Sequence, residues 1–201
     1  MMYRIMRKIL SIMDLMGSLI SGYFMRSAGV LVGKNVHIYG MPILSLFNGS
    51  RIILGNNVIL RSRSQGNAIG FNHRIVFTTL SSEACINIGD HVGISGGAIC
   101  CKGRVTIGDY TLLGANTIIA DNDMHSIDPD SRLHNDNIAD IPYKEVNIGK
   151  NVWVGADVFI CKGVSIGDNS VIGAKSLVSK SIPENCIAAG NPAVVIKKNI
   201  K

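Results

Sequence analysis

Aliphatic residues recur at every sixth position through the C-terminal part of the chain. This period matches neither the 3.6-residue repeat of a helix nor the two-residue alternation of an ordinary strand. A small residue follows each aliphatic one, and small residues are tolerated where the backbone turns sharply. The pattern therefore predicts short straight runs separated by tight corners. The aliphatic positions are Ile148, Val154, Ile160, Ile166, Ile172 and Val178, followed by Gly149, Gly155, Cys161, Gly167, Gly173 and Ser179.

The same period occurs earlier in the chain, and it identifies the fold class. Three six-residue units make one triangular coil, and equivalent side chains of successive coils stack ~4.8 Å apart, as in parallel strands. One coil cannot bury its apolar face, but stacked coils share a continuous core. We therefore predict an all-β parallel β-helix over residues 28–198, whose hand the period does not fix. The earlier repeats are Ile107, Leu113 and Ile119, then Ile88 and Ile94, and more weakly Val32 and Leu54.

Residues 1–27 follow a helical spacing instead, which predicts an amphipathic N-terminal helix. The apolar stretch from Ile9 to Ile20 is short and contains Asp14, so it is unsuited to span a bilayer. It also lacks the small-residue cleavage site of a secretory signal. Two roles stay open besides secretion: the helix covers an exposed end of the coils, or it lies in a membrane interface. Its apolar positions are Ile5, Ile9, Ile12, Met13, Met16, Leu19, Ile20 and Tyr23.

Composition supports one domain with an aliphatic core. The 201 residues are 47% hydrophobic but only 5% aromatic, and 29 isoleucines and 16 valines outnumber 13 leucines. β-Branched residues favour strands. This apolar content excludes a disordered chain, and the 22 glycines argue against a coiled coil.

The net charge of +6 is concentrated at the two ends of the chain. Residues 1–26 carry four basic side chains against Asp14, the last five residues carry three lysines, and the chain between them is balanced. A nucleic-acid-binding protein normally has a basic face with interleaved aromatic residues, so we expect no nucleic-acid partner. Basic ends suit an anionic membrane surface at one end and a phosphate-bearing ligand at the other. Residues 199–201 form the basic tail.

The cysteines and histidines predict neither a disulfide framework nor a metal site. Five cysteines without a CxxC pair are typical of reduced, small apolar residues in a cytoplasmic core. The histidines lack a closely spaced pair, so we expect no metal; zinc bound by three histidines across a subunit boundary is the alternative. The residues are Cys85, Cys100, Cys101, Cys161 and Cys186, and His37, His73, His91, His125 and His134.

The period is interrupted after Ile119, and the next clear repeat residue is Ile148, 29 positions later. The polar stretch 121–146 cannot fill a coil interior, so we expect it to be extruded as a long loop. Asp123 and His125 lie near its start. Near neutral pH a histidine is well suited to accept a hydroxyl proton, and a carboxylate can fix its tautomer. The alternative is a solvated loop in which the histidine is incidental.

The segment VNIGKNVWVGADVFICKGVSIGDNSVIGAKSLVSKSIPENCIAAGNPAVVIKK, residues 146–198, resembles the hexapeptide-repeat acyltransferases. The resemblance extends back through IGDHVGISGGAICCKGRVTIGDYTLLGANTIIADNDMHSID, residues 88–128, and looks closest to bacterial polysaccharide and sugar O-acetyltransferases. It implies a left-handed parallel β-helix, a homotrimer with active sites between subunits, and acetyl-CoA as co-substrate. It also implies that His125 is the general base of a direct transfer, so the cysteines are not nucleophiles. Asp123 would orient His125, unless a backbone carbonyl does so.

The resemblance also implies where acetyl-CoA binds. Trp153, too large for the narrow interior, would border the acceptor or the thioester, or pack in the trimer. Small residues would let the pantetheine arm approach the backbone, and an N–H near Gly155 or Ala156 would stabilise the oxyanion. Val194 stands where the family can have arginine, so phosphate contacts are fewer. The remaining cofactor residues are Gly173 and Ala174 for the pantetheine arm, Ser179 and Lys180 for the nucleotide, Asn191 and Pro192 beside adenine, and Lys197 for a phosphate.

The acceptor is the part of the function that the sequence specifies least. Ser95 corresponds to a polar position near the acceptor in the family. Residues 61–80 also interrupt the repeat and carry three arginines and a histidine, which either bind a sugar diphosphate or acidic glycan or are solvated corners. We expect O-acetylation of a surface polysaccharide or its precursor, in the cytoplasm or at the inner face of the membrane. The rivals are N-acetylation, acetylation of serine or an antibiotic, and a non-catalytic scaffold in a glycan-assembly complex.

Overall fold

The structure is a computed structural model that describes residues 2–64, 67, 69–133 and 137–199, with the side chains of the first helix from residue 14 onward. Helix α1 (Met2–Ser27) precedes six triangular coils of three strands each. The first three coils contain β1 (Leu31–Val32), β2 (His37–Tyr39) and β3 (Ile43–Ser45); β4 (Arg51–Leu54), β5 (Ile59–Arg61) and β6 (Val76–Thr79); and β7 (Cys85–Ile88), β8 (Gly93–Ser95) and β9 (Ala98–Cys101).

The next coils continue this pattern after one long interruption. The fourth coil contains β10 (Arg104–Ile107), β11 (Leu112–Leu113) and β12 (Ile118–Ala120). A loop with the short helix α2 (Pro129–Leu133) and a 3-10 turn (Ile138–Asp140) then leads to the last two coils. These contain β13 (Val146–Ile148), β14 (Trp153–Val154) and β15 (Phe159–Ile160), then β16 (Ser165–Ile166), β17 (Val171–Ile172) and β18 (Leu177–Val178); β19 (Cys186–Gly190) and β20 (Ala193–Lys198) follow.

Each coil contributes one strand to each of three parallel sheets, which form the walls of a prism. The first wall runs β1-β4-β7-β10-β13-β16, the second β2-β5-β8-β11-β14-β17-β19, and the third β3-β6-β9-β12-β15-β18. Strand β20 folds back antiparallel on β19 at the end of the second wall. The predicted all-β parallel β-helix, with its N-terminal helix and one long extruded loop, is therefore confirmed.

The repeating aliphatic residues point inward and pack as one core. Ile148, Val154 and Ile160 are buried, and their counterparts in the neighbouring coils are buried with them. Phe77 is the one aromatic ring in this core among the described residues. The scarcity of aromatic residues thus follows from the narrow interior, which aliphatic side chains fill.

The glycines that follow repeating aliphatic residues allow the coils to stack closely. They are not needed there for a left-handed backbone conformation. A Cβ added at Gly114 would lie 2.6 Å from the carbonyl carbon of Gly155 in the next coil. The left-handed conformation falls instead on other corner residues, such as Asn151 and Asn169, with φ of 54° and 59°. The Asn151 side chain donates to that of Asn169 (2.9 Å), so the corners also form a ladder along the prism.

Helix α1 lies across the first coil and contacts β1 and β2. Ser18 and Met25 are buried, and the Ser18 hydroxyl accepts a hydrogen bond from the Ile38 amide (2.8 Å). The helix therefore covers the open end of the prism, one of the two roles that the sequence left open. None of the described helices is both long enough and apolar enough to cross a bilayer.

Candidate active site

The long loop leaves the prism at the corner between the third and first walls, and His125 lies near its start. Asn122 and Tyr143 form an antiparallel bridge that closes the base of the loop. Met124 takes a left-handed backbone conformation (φ 62°), and the next residue, His125, is exposed. The predicted base therefore lies just beyond the Asn122–Tyr143 bridge and is accessible from solvent.

Asp121 anchors the base of this loop to the preceding coil. Its carboxylate is fully buried and accepts hydrogen bonds from the backbone amides of Lys102 and Gly103, both at 2.7 Å. The Asn122 side-chain amide donates a third bond at 2.9 Å. A buried carboxylate requires such donors because desolvation of its charge is costly. Asp121 therefore has a structural role that the sequence did not distinguish from that of the neighbouring acids.

Lys102 holds the returning limb of the loop, the part that leads back to the prism through Ala139 and Ile141. This lysine is only 6% exposed, and its ammonium donates to the carbonyls of Ala139 (2.9 Å) and Ile141 (2.6 Å). The same ammonium lies 5.2 Å from the ring centroid of Tyr143, a cation–π contact. Lys102 and Asp121 together fix both limbs of the loop that carries His125. Lys102 was not among the predicted residues, although a lone charge after the apolar run ending at Cys101 was an available signal.

Asp123 forms an ion pair with Lys162, which lies at the same corner one coil further along. The Asp123 amide also donates to the Pro142 carbonyl (3.2 Å), so this residue connects three segments of chain. Its assignment as the orienting group of His125 stays a prediction. Lys162 was not among the predicted residues, since its proximity to Asp123 depends on how the loop returns.

Three thiols near the loop base are poorly suited to act as nucleophiles. Burial raises the pKa of Cys101, and the nearby Asp121 carboxylate raises it further. Burial also raises the pKa of Cys100 and of Cys161. The thiolate is the reactive form, and a raised pKa suppresses it near neutral pH. The shifts support the expectation that transfer does not proceed through a cysteine.

Trp153 lies on the outer face of the second wall. It is 58% exposed and in register with Leu112 on one side and Val171 on the other. Ser95, half-buried at the end of β8, lies on the same wall two coils nearer α1. His125, in contrast, lies in the loop at the corner between the third and first walls, which does not border the second wall. Within one chain the predicted base and the predicted tryptophan therefore belong to different walls.

The predicted cofactor residues fall into two groups. Ser179 and Lys180 lie after β18, at the corner shared with Lys162. Lys197 is part of strand β20, in register with Ile187 of β19, rather than of a free tail. The other members follow β14, β17 and β19 along the second wall, and these are Gly155, Ala156, Gly173, Ala174, Asn191 and Pro192.

The backbone amides separate the two oxyanion candidates. The Gly155 amide donates to the Ile172 carbonyl (2.8 Å), and a Cβ at Gly155 would lie 2.6 Å from the Ala174 nitrogen. Gly155 is thus engaged in coil stacking. The Ala156 amide has no hydrogen-bond partner within the described part of the chain. Ala156 is therefore the better donor of the two.

The second interruption of the repeat forms a basic pocket near α1. Arg63, His73 and Arg74 line this pocket of about 330 Å³ together with Phe71. Arg63 forms an ion pair with Asp14 of α1 at 2.5 Å. Arg61, the third predicted arginine, stays on the second wall with its guanidinium 5.7 Å from the ring centroid of Tyr39.

The histidines do not assemble a metal site in the part of the chain that the structure describes. No group of three metal-binding side chains occurs there. His134, one of the histidines in the zinc alternative, lies outside the described residues. The zinc alternative therefore gains no support from the described geometry.

A family model, the bacterial transferase hexapeptide (six repeats), matches residues 145–180. The match covers the last two coils of the prism. Galactoside O-acetyltransferase of Lactococcus lactis is 43% identical over 94 residues, 47% of this chain and 43% of that protein. The putative colanic acid biosynthesis acetyltransferase WcaF of Escherichia coli is 38% identical over 99 residues, 49% of this chain and 50% of that protein. The chain thus spans about half the length of these curated relatives.

Two solved structures share the fold along most of the chain. AntD, an N-acyltransferase from Bacillus cereus in complex with dTDP-4-amino-4,6-dideoxyglucose and coenzyme A, has a TM-score of 0.67 at 23% identity, covering 90% of each chain. A galactoside acetyltransferase in complex with coenzyme A has a TM-score of 0.52 at 28% identity, covering 85% of this chain and 64% of that chain. The parallel walls and these structures are consistent with a left-handed β-helix.

Proposed function

We propose that the protein transfers an acetyl group from acetyl-CoA to a sugar hydroxyl, with His125 as the general base. One observation carries the proposal: the long loop of a hexapeptide-repeat prism presents a histidine directly beyond a buried polar anchor made by Asp121 and Lys102. A base must be held in place to act, and a loop fixed at both limbs holds it. The galactoside O-acetyltransferase and the putative colanic acid biosynthesis acetyltransferase among the relatives support the substrate class.

The transfer needs no covalent enzyme intermediate. His125 accepts the hydroxyl proton as the sugar oxygen attacks the thioester carbonyl carbon. The carbonyl oxygen becomes an oxyanion, for which the Ala156 amide is the donor that we favour. When the C–S bond breaks, the CoA thiolate leaves and takes the proton from the imidazolium. The raised pKa values of the three loop-base thiols agree with this direct route.

A homotrimer would bring together groups that one chain keeps on different walls. In that arrangement one subunit presents His125, and its neighbour presents Trp153 and the cofactor residues of the second wall. A continuous apolar column on the outside of the third wall supports such an assembly, because contiguous apolar patches on a protein surface are typical of interfaces. The column consists of Val76, Ala98, Ile118, Phe159 and Leu177, all half-buried and in direct register.

The cellular setting belongs to the same proposal. All five cysteines are free, as expected for a protein kept in the reducing cytoplasm. We place the enzyme there, in the biosynthesis of a surface polysaccharide, with acetyl-CoA drawn from the cytoplasmic pool.

The test compares the protein with its His125→Ala variant, each incubated with acetyl-CoA and a panel of sugars, amino sugars, serine and antibiotics. We expect mass spectrometry to find an acetylated sugar, and the variant to turn over roughly 10²–10⁴ times more slowly with CoA affinity unchanged. Acetylation confined to amines would favour N-transfer. An absence of CoA binding would favour the scaffold, and near-normal turnover by His125→Ala would remove this residue from the mechanism.

A further inference from the structure

The outer face of α1 is a contiguous apolar surface. Five large side chains on this face are each between 56% and 76% exposed. They recur at positions i, i+1, i+4, i+5 and i+8, so they lie along one side of the helix. These residues, which we name the outer stripe, are Leu15, Met16, Leu19, Ile20 and Tyr23.

The helix docks on the prism with its less apolar side. Ser18 and Ser21 are buried against the first coil, and Gly22 and Met25 are buried with them. Asp14 points to the same side, where it forms its ion pair with Arg63. An amphipathic helix normally buries its apolar stripe against the core. Here the stripe is turned outward, at the end of the molecule, where it can contact another apolar phase.

Charge distinguishes between two partners that could cover the stripe, a second copy of the chain and a lipid surface. Residues 1–26 carry a net charge of +3, and their one carboxylate, Asp14, is already paired within the protein. A second copy docking on the stripe would bring the same positive charge against it. An anionic lipid surface, in contrast, supplies both an apolar layer for the stripe and negative headgroups for Arg4, Arg7 and Lys8.

The placement of the helix on the first coil favours a position parallel to the membrane. With 26 residues, α1 is about 39 Å long. In the sequence, the same apolar spacing occurs at Ile5, Ile9 and Ile12, in the stretch that also holds Arg4, Arg7 and Lys8. The helix contacts both β1 and β2 of the first coil, so its axis lies across the prism rather than along it.

We propose that the outer stripe of α1 docks the protein on an anionic membrane surface, with α1 in the plane of the interface. Burial of one leucine side chain in an apolar phase favours the bound state by roughly tenfold or more. The basic residues add attraction that salt weakens. This docking goes beyond acetyl transfer and does not depend on it.

The experiment is co-sedimentation of the full chain with vesicles of phosphatidylglycerol and phosphatidylcholine, and with vesicles of phosphatidylcholine alone. We expect binding to the anionic vesicles that weakens at an ionic strength of about 1 M. Leu19→Ser should lower the partition coefficient roughly tenfold, and the double variant Leu15→Ser/Leu19→Ser should lower it further. Leu31→Ser is the matched control, since Leu31 is 60% exposed on the first coil outside the helix and should leave binding unchanged.

Three results would overturn this proposal. The first is that the full chain does not bind the anionic vesicles. The second is that Leu19→Ser and Leu31→Ser bind them equally well. The third is that the double variant changes the mass of the assembly in lipid-free buffer, which would assign the stripe to a second copy of the chain. Because the readout is sedimentation, none of these results depends on whether the chain is an acetyltransferase.

Discussion

Replacing Lys102 by methionine should loosen the loop that carries His125 while leaving the prism intact. The change removes the ammonium but keeps an unbranched side chain of similar length. Two charge-assisted hydrogen bonds, to Ala139 and Ile141, are lost. Each is worth roughly 1.5–3 kcal/mol, and the contact with Tyr143 adds about 1 kcal/mol. Relief of the ammonium's desolvation returns several kcal/mol, so we expect a net loss of about 2–3 kcal/mol from the closed loop.

Hydrogen exchange is the direct assay, because the loss is local. A loss of about 2–3 kcal/mol corresponds to exchange roughly 30 to 150 times faster for the amides of Asp140 and Ile141, which hydrogen-bond within the returning limb. Turnover should fall as well, since His125 would be held less well. Lys150→Met is the matched control: its exposed ammonium pairs with Asp109 at a corner of the prism, and exchange in the loop should not change. Equal exchange in the two variants would refute the role given to Lys102.

Three further predictions follow from the coils, the thiols and the tryptophan. Gly114→Ala should destabilise the fold by about 2 kcal/mol or more in denaturant titration, because its Cβ would lie 2.6 Å from backbone of the next coil. Gly17→Ala has open space around it on α1 and should stabilise the fold by about 0.5–1 kcal/mol. If Gly114→Ala were the more stable of the two variants, this account of the glycines would be contradicted. Because the pKa of Cys101 is raised in the folded protein, this thiol contributes folding stability that is fully present below about pH 8.5 and is lost as the pH rises towards the folded-state pKa. Cys101→Ala should therefore reduce the fall in the free energy of unfolding at alkaline pH. An equally steep fall in the variant would contradict this prediction. Trp153 is the only tryptophan, so CoA binding should change its fluorescence emission in a saturable way. Lys197→Gln should lower the affinity for CoA in this titration and make that affinity less dependent on salt. Emission that CoA does not change would remove Trp153 from the groove.

The fold could be predicted because its period is visible in the chain itself. Ile148, Ile160 and Ile172 each fall where a wall needs an inward aliphatic residue, and the structure buries all three. The role of the glycines was only partly predictable, because the approach of Gly114 to Gly155 depends on contact between coils. A sequence shows which residues are small, but the contact that requires this appears only when the coils are stacked.

The candidate site was less predictable, because its contacts cross the interrupted part of the repeat. His125 could be found as the histidine that follows the break in the period. The partners of the loop could not: Lys102 contacts Ile141 across 39 residues, and Lys162 contacts Asp123 across another 39. Once the period stops, nothing in the sequence fixes how the chain returns.

The direction in which α1 faces was also beyond the sequence. The helical spacing showed an apolar stripe, and burial of that stripe on the prism would have been the ordinary outcome. The buried hydroxyl of Ser18, which accepts from the Ile38 amide, helps to select the other face. A single polar contact of this kind has no periodic signature, so only the structure shows which side is left exposed.

The central claim is that one imidazole meets the thioester of acetyl-CoA. An experimental structure of the protein with CoA bound tests it most directly. We predict the pantetheine thiol beside His125, with Trp153 of the neighbouring subunit along the same groove. A CoA molecule whose thiol ends away from every His125 imidazole of the assembly would contradict the claim, even if the prism were unchanged.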